Sequence, residues 1–136
     1  MIAELAVLVV DDEELNREMS RRWLLNAIPC TVDCASTVRY AKELLKKKRY
    51  GMVILDMSLP DADDGYEVLQ EIRDTSSLNE TFVVAFTGYV QSEIDRERFV
   101  TYGFDDAWPK MASEAEFKER ARQAVARLQR RATKSP

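Results

Sequence analysis

The sequence predicts an α/β protein with a doubly wound, five-stranded parallel sheet, a βα unit repeated five times. Three observations carry that expectation. Five short apolar runs alternate with longer segments of helical periodicity. The first of them, residues 5–10, is continuous and rich in β-branched residues, as a strand covered on both faces is. At 136 residues the chain fits one domain and is short for two.

The first run, "LAVLVV" (5–10), ends directly on Asp11, Asp12, Glu13 and Glu14. Leu15, Met19 and Trp23 then recur every four residues and mark a helix ending near 26–29. "CTVDCA" (30–35) reads as the second strand. Ser36 is the expected N-cap of a helix bearing Val38, Ala41, Leu44 and Leu45. That helix closes on "KKKR" (46–49), cations where the helix dipole favours them. "GMVILDM" (51–57) is the third strand and holds Asp56 at its end; the turn-rich "SLPDADDG" leads to a helix over 66–74. "TFVVAFT" (81–87) is the fourth strand, ending on Thr87. Residues 91–102 make a helix and "FDDAW" (104–108) a weaker fifth strand. Phe117, Ala121, Ala124, Val125 and Leu128 line a final amphipathic helix.

Composition excludes several chemistries. The chain has no histidine, which removes Ser-His-Asp and Cys-His nucleophile systems, His-ligated zinc and an internal phosphohistidine. Its two cysteines, Cys30 and Cys34, have neither zinc-site nor disulfide-framework spacing and are expected as buried strand thiols on one face. A net charge of −4 gives no reason to expect direct nucleic-acid binding. No apolar run reaches membrane-span length and no basic region precedes the first one, so no membrane contact and a cytoplasmic location are expected. From Lys110 onward eight Lys/Arg stand against three Glu, which a solvated helix face accounts for.

Parallel sheets bind ligands at the carboxyl ends of their strands. Those ends carry Asp11 and Asp12, Cys34, Asp56, Thr87 and Lys110. Three carboxylates on one rim need a cation, and oxygen donors alone suit a hard divalent ion, Mg2+ first. A lysine beside such a site repels the metal and so points to a second anion, for which phosphate is the natural choice. Thr87 offers a hydroxyl to a phosphate oxygen, and Asp56 is the group left to act as nucleophile.

The stretches "LVVDDEELNR", "VILDMSLPDADDGYEVLQEIR", "VVAFTGY" and "GFDDAWPK", in this order and each at a strand end, resemble the receiver domain of two-component response regulators over about residues 5–130. The resemblance implies a flavodoxin-like sheet of strand order 2-1-3-4-5. It implies that Asp56 is the phosphoacceptor and that Asp12 ligates Mg2+, with Asp11 assisting through water and the Ser58 backbone carbonyl completing the set. Lys110 would pair with the phosphoryl group, and Thr87 would bond it and shift inward on activation. The implied donor is a histidine kinase or histidine phosphotransfer protein, and the implied recipient of the signal a downstream protein or fused output domain. Such a domain is not an enzyme but catalyses its own phosphorylation and dephosphorylation. "AFTGYVQSE" and "YGFD" look most like receivers attached to hybrid sensor kinases.

Three features depart from the family pattern. Lys110 follows a proline and precedes Met111, where the family has Lys-Pro, often cis; a cis bond before Met would cost roughly 3 kcal/mol, so a trans bond is expected and the aim of the lysine is in question. Ala107 stands where the family has an aromatic ring that follows the threonine inward, with Trp108 beside it pointing to the other face. Gly65 lies nine positions after Asp56 instead of eight. Ala107 and Met111 leave open a pseudo-receiver, an interaction module with little phosphoryl chemistry. An aspartate-nucleophile phosphatase fits worse, since Ser58 stands where its second acid belongs, and neither GxGxxG nor GxxxxGK[ST] occurs. The domain is expected over 1–131 with a frayed tail over 132–136, as a stand-alone receiver or a piece of a larger protein. Trp108 and the basic last helix are the expected interface.

Overall fold

The computed structural model describes residues 4–57, 64–75, 80–88 and 90–134. The chain runs β1 (Leu5–Val10), α1 (Glu14–Ala27), β2 (Cys30–Ala35), α2 (Val38–Lys47), β3 (Met52–Asp56), α3 (Asp64–Asp74), β4 (Phe82–Thr87), α4 (Glu93–Tyr102), β5 (Asp106–Pro109) and α5 (Glu114–Lys134). All strands are parallel and lie in the order β2-β1-β3-β4-β5. The order reverses between β1 and β3, which makes that crevice the ligand position of an open parallel sheet.

Alternation along each strand feeds two cores. Val7, Val9, Ile54, Val84 and Trp108 meet Leu24 of α1 and Phe117, Ala121 and Ala124 of α5. Leu8, Val10, Val53, Leu55, Ala85 and Ala107 meet Ala41 and Leu45 of α2 and Val68, Leu69 and Ile72 of α3. Strands with both faces buried have no polar positions to lose, and this is why β3 and β4 read as unbroken apolar runs.

Several local expectations are corrected. The apolar stripe of α1 is not Leu15–Met19–Trp23: Leu15 is 82% exposed, and the helix turns Ser20 and Leu24 into the core, with Trp23 and Ala27 alongside. Thr37, not Ser36, caps α2, its side chain accepting the Tyr40 N–H at 3.1 Å. The fifth strand begins two residues later than read, because the buried Phe104 precedes it. Cys30 is buried but Cys34 only partly so. Helix α5 continues to Lys134, into the segment expected to fray. Trp108 is fully buried, which removes it from any surface; its ring meets Phe117 edge-on at 5.3 Å.

Two glycines answer to geometry. A Cβ at Gly65 would lie 2.6 Å from Met57 Sδ, so a side chain there would have to displace the end of the Met57 side chain, next to Asp56. Gly103, at φ +135°, ends α4 and donates to the Phe99 and Val100 carbonyls. The extra position in the loop after Asp56, and Ser58 within it, lie outside the described residues.

Candidate functional site

Asp11 and Asp12 follow β1, Asp56 ends β3, Thr87 ends β4 and Lys110 follows β5. The structure brings these residues together on the rim above the crevice. Carboxylate oxygens of Asp11, Asp12 and Asp56 all lie within 4.8 Å of one another. Asp11 and Asp56 are 1% exposed, whereas Asp12 faces solvent.

Each side chain is aimed by local structure. Asp11 Oδ1 accepts the Glu13 N–H at 2.9 Å, and the Asp11 carbonyl accepts Arg17 Nη1 at 2.9 Å, so the first turn of α1 holds the acidic pair in place. The Lys110 N–H donates to the Thr87 carbonyl at 3.0 Å, extending the β4–β5 ladder by one bond beyond Pro109. That bond fixes where the lysine leaves the strand. Its Nζ reaches Asp56 Oδ1 at 2.7 Å and Asp11 Oδ2 at 3.8 Å. No cis peptide bond occurs among the described residues, and Met111 turns out to solvent. "PKM" therefore delivers the lysine to the aspartate without the Lys-Pro step.

The electrostatics are unbalanced without a cation. Three carboxylates face one ammonium, leaving two formal negative charges in a site with two members buried. Burial pushes the Asp11 carboxyl up to about 6, helped by the neighbouring Asp56 and opposed by the Glu13 N–H and Lys110. An all-oxygen donor set with this charge fits a hard divalent ion such as Mg2+, with Asp11, Asp12 and Asp56 as its holders.

The raised Asp11 value has a consequence for stability. The folded, metal-free protein keeps that proton to about pH 6, while the unfolded chain releases it near the ordinary value of 3.8. Between those values the folded state binds more protons, so the contribution of Asp11 to stability falls as pH rises. Asp33, held low by the Tyr50 hydroxyl, titrates with the opposite sign, so the comparison must be made against a variant. Urea unfolding in EDTA should show Asp11→Asn gaining on wild type by about 2 kcal/mol from pH 4 to pH 7. A gap that does not change with pH would remove this account of Asp11.

Residues 7–122 match the family model for the response regulator receiver domain. The chain belongs to that family. It is 31% identical over 126 residues to the transcriptional regulatory protein PmrA of Pectobacterium parmentieri, covering 90% of this chain and 53% of that protein. It is 33% identical over 110 residues to the aerobic respiration control sensor protein ArcB of Escherichia coli K12, covering 80% of this chain and 14% of that protein. The receiver thus spans about half the length of one relative and a small part of the other. Among solved structures, the receiver domain of a putative LuxO repressor protein from Vibrio parahaemolyticus superposes with a TM-score of 0.81 at 20% identity, covering 98% of this chain and all of that one. The chemotaxis response regulator CheY4 of Vibrio cholerae gives 0.79 at 22% identity over 90% of this chain and 99% of that one. These structures bear out the flavodoxin-like fold and its order.

A layer of residues behind the site of this receiver was not anticipated from the sequence. Asp106 is buried and holds Arg96 of α4 at 2.5 Å and the Trp108 indole N–H at 3.1 Å. Phe86, paired with Asp56 across the β3–β4 ladder, places its ring 5.9 Å from Lys110 Nζ. The alternation Asp106–Ala107–Trp108 carried the signal, since it puts a carboxylate and an indole on one face. Among the described residues no helix is long and apolar enough to cross a membrane.

Proposed function

We propose that this receiver accepts a phosphoryl group on Asp56 from a phosphohistidine of a kinase or phosphotransfer protein, and that this switches a partner-binding surface. The observation carrying the reading is the 2.7 Å contact of Lys110 with Asp56 beside two further aspartates. A carboxylate oxygen of Asp56 attacks the phosphorus in line; the donor N–P bond breaks, its electron pair goes to the imidazole, and an acyl phosphate remains. Lys110 follows the charge from the carboxylate to the phosphoryl oxygens, and the Thr87 hydroxyl donates to one of them. Water attack on phosphorus later returns Asp56 and inorganic phosphate, so the domain is a self-resetting acceptor and not an enzyme for a separate substrate. Mg2+, held by Asp11, Asp12 and Asp56, would supply positive charge to the phosphoryl oxygens.

Relatives of two kinds, a transcriptional regulator and a sensor protein, support an upstream kinase and an output that lies in another domain or protein. The chemical test is lability: a group gained from acetyl phosphate with Mg2+ should be released by hydroxylamine, as an acyl phosphate is, and a hydroxylamine-resistant group would place the modification elsewhere. The metal has its own test. Ten millimolar MgCl2 should raise the melting temperature by about 3 °C, since only the folded state gathers the ligands. Asp12→Ala should abolish that response, and a wild type indifferent to Mg2+ would remove the metal from the reading.

A further inference from the structure

Helix α4 lies at the surface of the domain beside β5. None of its ten residues is buried. Its attachment at the sheet edge is polar: Arg96 Nε donates to Asp106 Oδ1 at 2.5 Å. The other Asp106 oxygen accepts the Trp108 indole N–H, and Trp108 is part of the aromatic wall behind the phosphoacceptor. That wall runs from Trp108 to Phe117 at 5.3 Å, and from Phe117 to Phe86 at 5.9 Å. Phe86 lies opposite Asp56 in the ladder and precedes Thr87. An unbroken line of contacts therefore joins the site on the rim to a helix whose own apolar contacts are few, the half-buried Phe99 against Phe104 at 5.8 Å and the exposed Tyr102 against Tyr66 at 4.4 Å.

The line has two discrete states available. Arg96 also holds Glu93 of its own helix at 2.6 Å, so its guanidinium keeps a counter-ion if it leaves Asp106. Asp106 in turn keeps the indole and the Ala107 N–H, at 2.9 Å, if Arg96 leaves. Neither charge is stranded, which makes opening cheap for a partly buried pair. Where the family has an aromatic ring to follow the threonine, this chain has Ala107, whose methyl cannot do that work.

We propose that the Arg96–Asp106–Trp108 chain is the latch through which the state of the site reaches α4: closed, it holds α4 to β5; a shift of Phe86 and Thr87 moves the aromatic wall and releases it. The proposal rests on the phosphoacceptor reading for its trigger but not for the latch itself.

Two arms separate those parts. In a Trp23→Phe background, so that Trp108 is the sole indole, Arg96→Gln should speed amide exchange in α4 about tenfold with β1 and β3 unchanged, and should shift the Trp108 emission. Glu93→Gln, which removes the in-helix partner only, should change neither. Unaltered α4 exchange in Arg96→Gln, or the same acceleration in both variants, overturns the latch. In the second arm, acetyl phosphate and Mg2+ should bring α4 of the Arg96 protein to the exchange rate of the Gln variant, and should not accelerate the variant further. An intact-mass adduct with α4 exchange unmoved overturns the coupling. Absence of an adduct overturns the phosphoacceptor reading instead, and the first arm alone then decides the latch.

Discussion

Replacing Lys110 by methionine is expected to destabilise the metal-free protein by about 3 kcal/mol at pH 7 and to slow phosphoryl uptake about a hundredfold. The two effects have one origin. The ammonium lies 2.7 Å from Asp56 and 3.8 Å from Asp11, both 1% exposed, and without it two buried carboxylates face each other with no cation between them. A carboxylate relieved of its partner can take up a proton, so the loss should shrink as pH falls toward 5. The kinetic loss follows from charge moving onto the phosphoryl oxygens, where the lysine sits before the reaction begins. Urea unfolding in EDTA and initial rates with acetyl phosphate measure the two separately. A variant as stable as wild type and phosphorylated at its rate would contradict the role given to Lys110.

Truncating Trp108 to alanine should cost about 4 kcal/mol, a large share of the stability of a domain this size. The side chain is wholly buried against Phe117, and its indole N–H is a donor to the buried Asp106. Trp108→Phe keeps an aromatic ring against Phe117 and should cost only about half as much, the remainder reflecting the lost donor. Urea midpoints distinguish this from a surface role. A loss below about 1 kcal/mol in the alanine variant would mean that the residue is not a core element.

The strands were the most legible part of the chain. β1 begins and ends where its apolar run does, because burial leaves no polar residue inside it, and β2 keeps its expected bounds although Thr31 and Asp33 interrupt it at the sheet edge. β5 was read two residues early, since Phe104 is as buried as any strand residue but sits in the turn that follows Gly103. The face of α1 was misread because Leu15 lies in the first turn, beyond the sheet it would have to cover, while the small Ser20 lets the helix approach. Trp108 looked like a surface anchor on residue type alone; the carboxylate two positions away on the same face was the better guide.

At the site, the convergence of Asp11, Asp12, Asp56, Thr87 and Lys110 followed from strand ends alone, and the structure assembles all five. The aim of Lys110 did not follow. It depends on the bond from its N–H to the Thr87 carbonyl, a contact between strands far apart in sequence that no local pattern encodes. The Arg96–Asp106 pair was hidden for a similar reason, because each partner reads alone as a solvated surface charge.

The central claim, that Asp56 is a phosphoacceptor, is tested most directly by intact mass after incubation with acetyl phosphate and Mg2+, on wild type and Asp56→Asn. One added phosphoryl group on wild type, absent from the variant and absent in EDTA, is the predicted result. Folded wild-type protein that gains no mass, or an Asp56→Asn variant that gains as much, would contradict it.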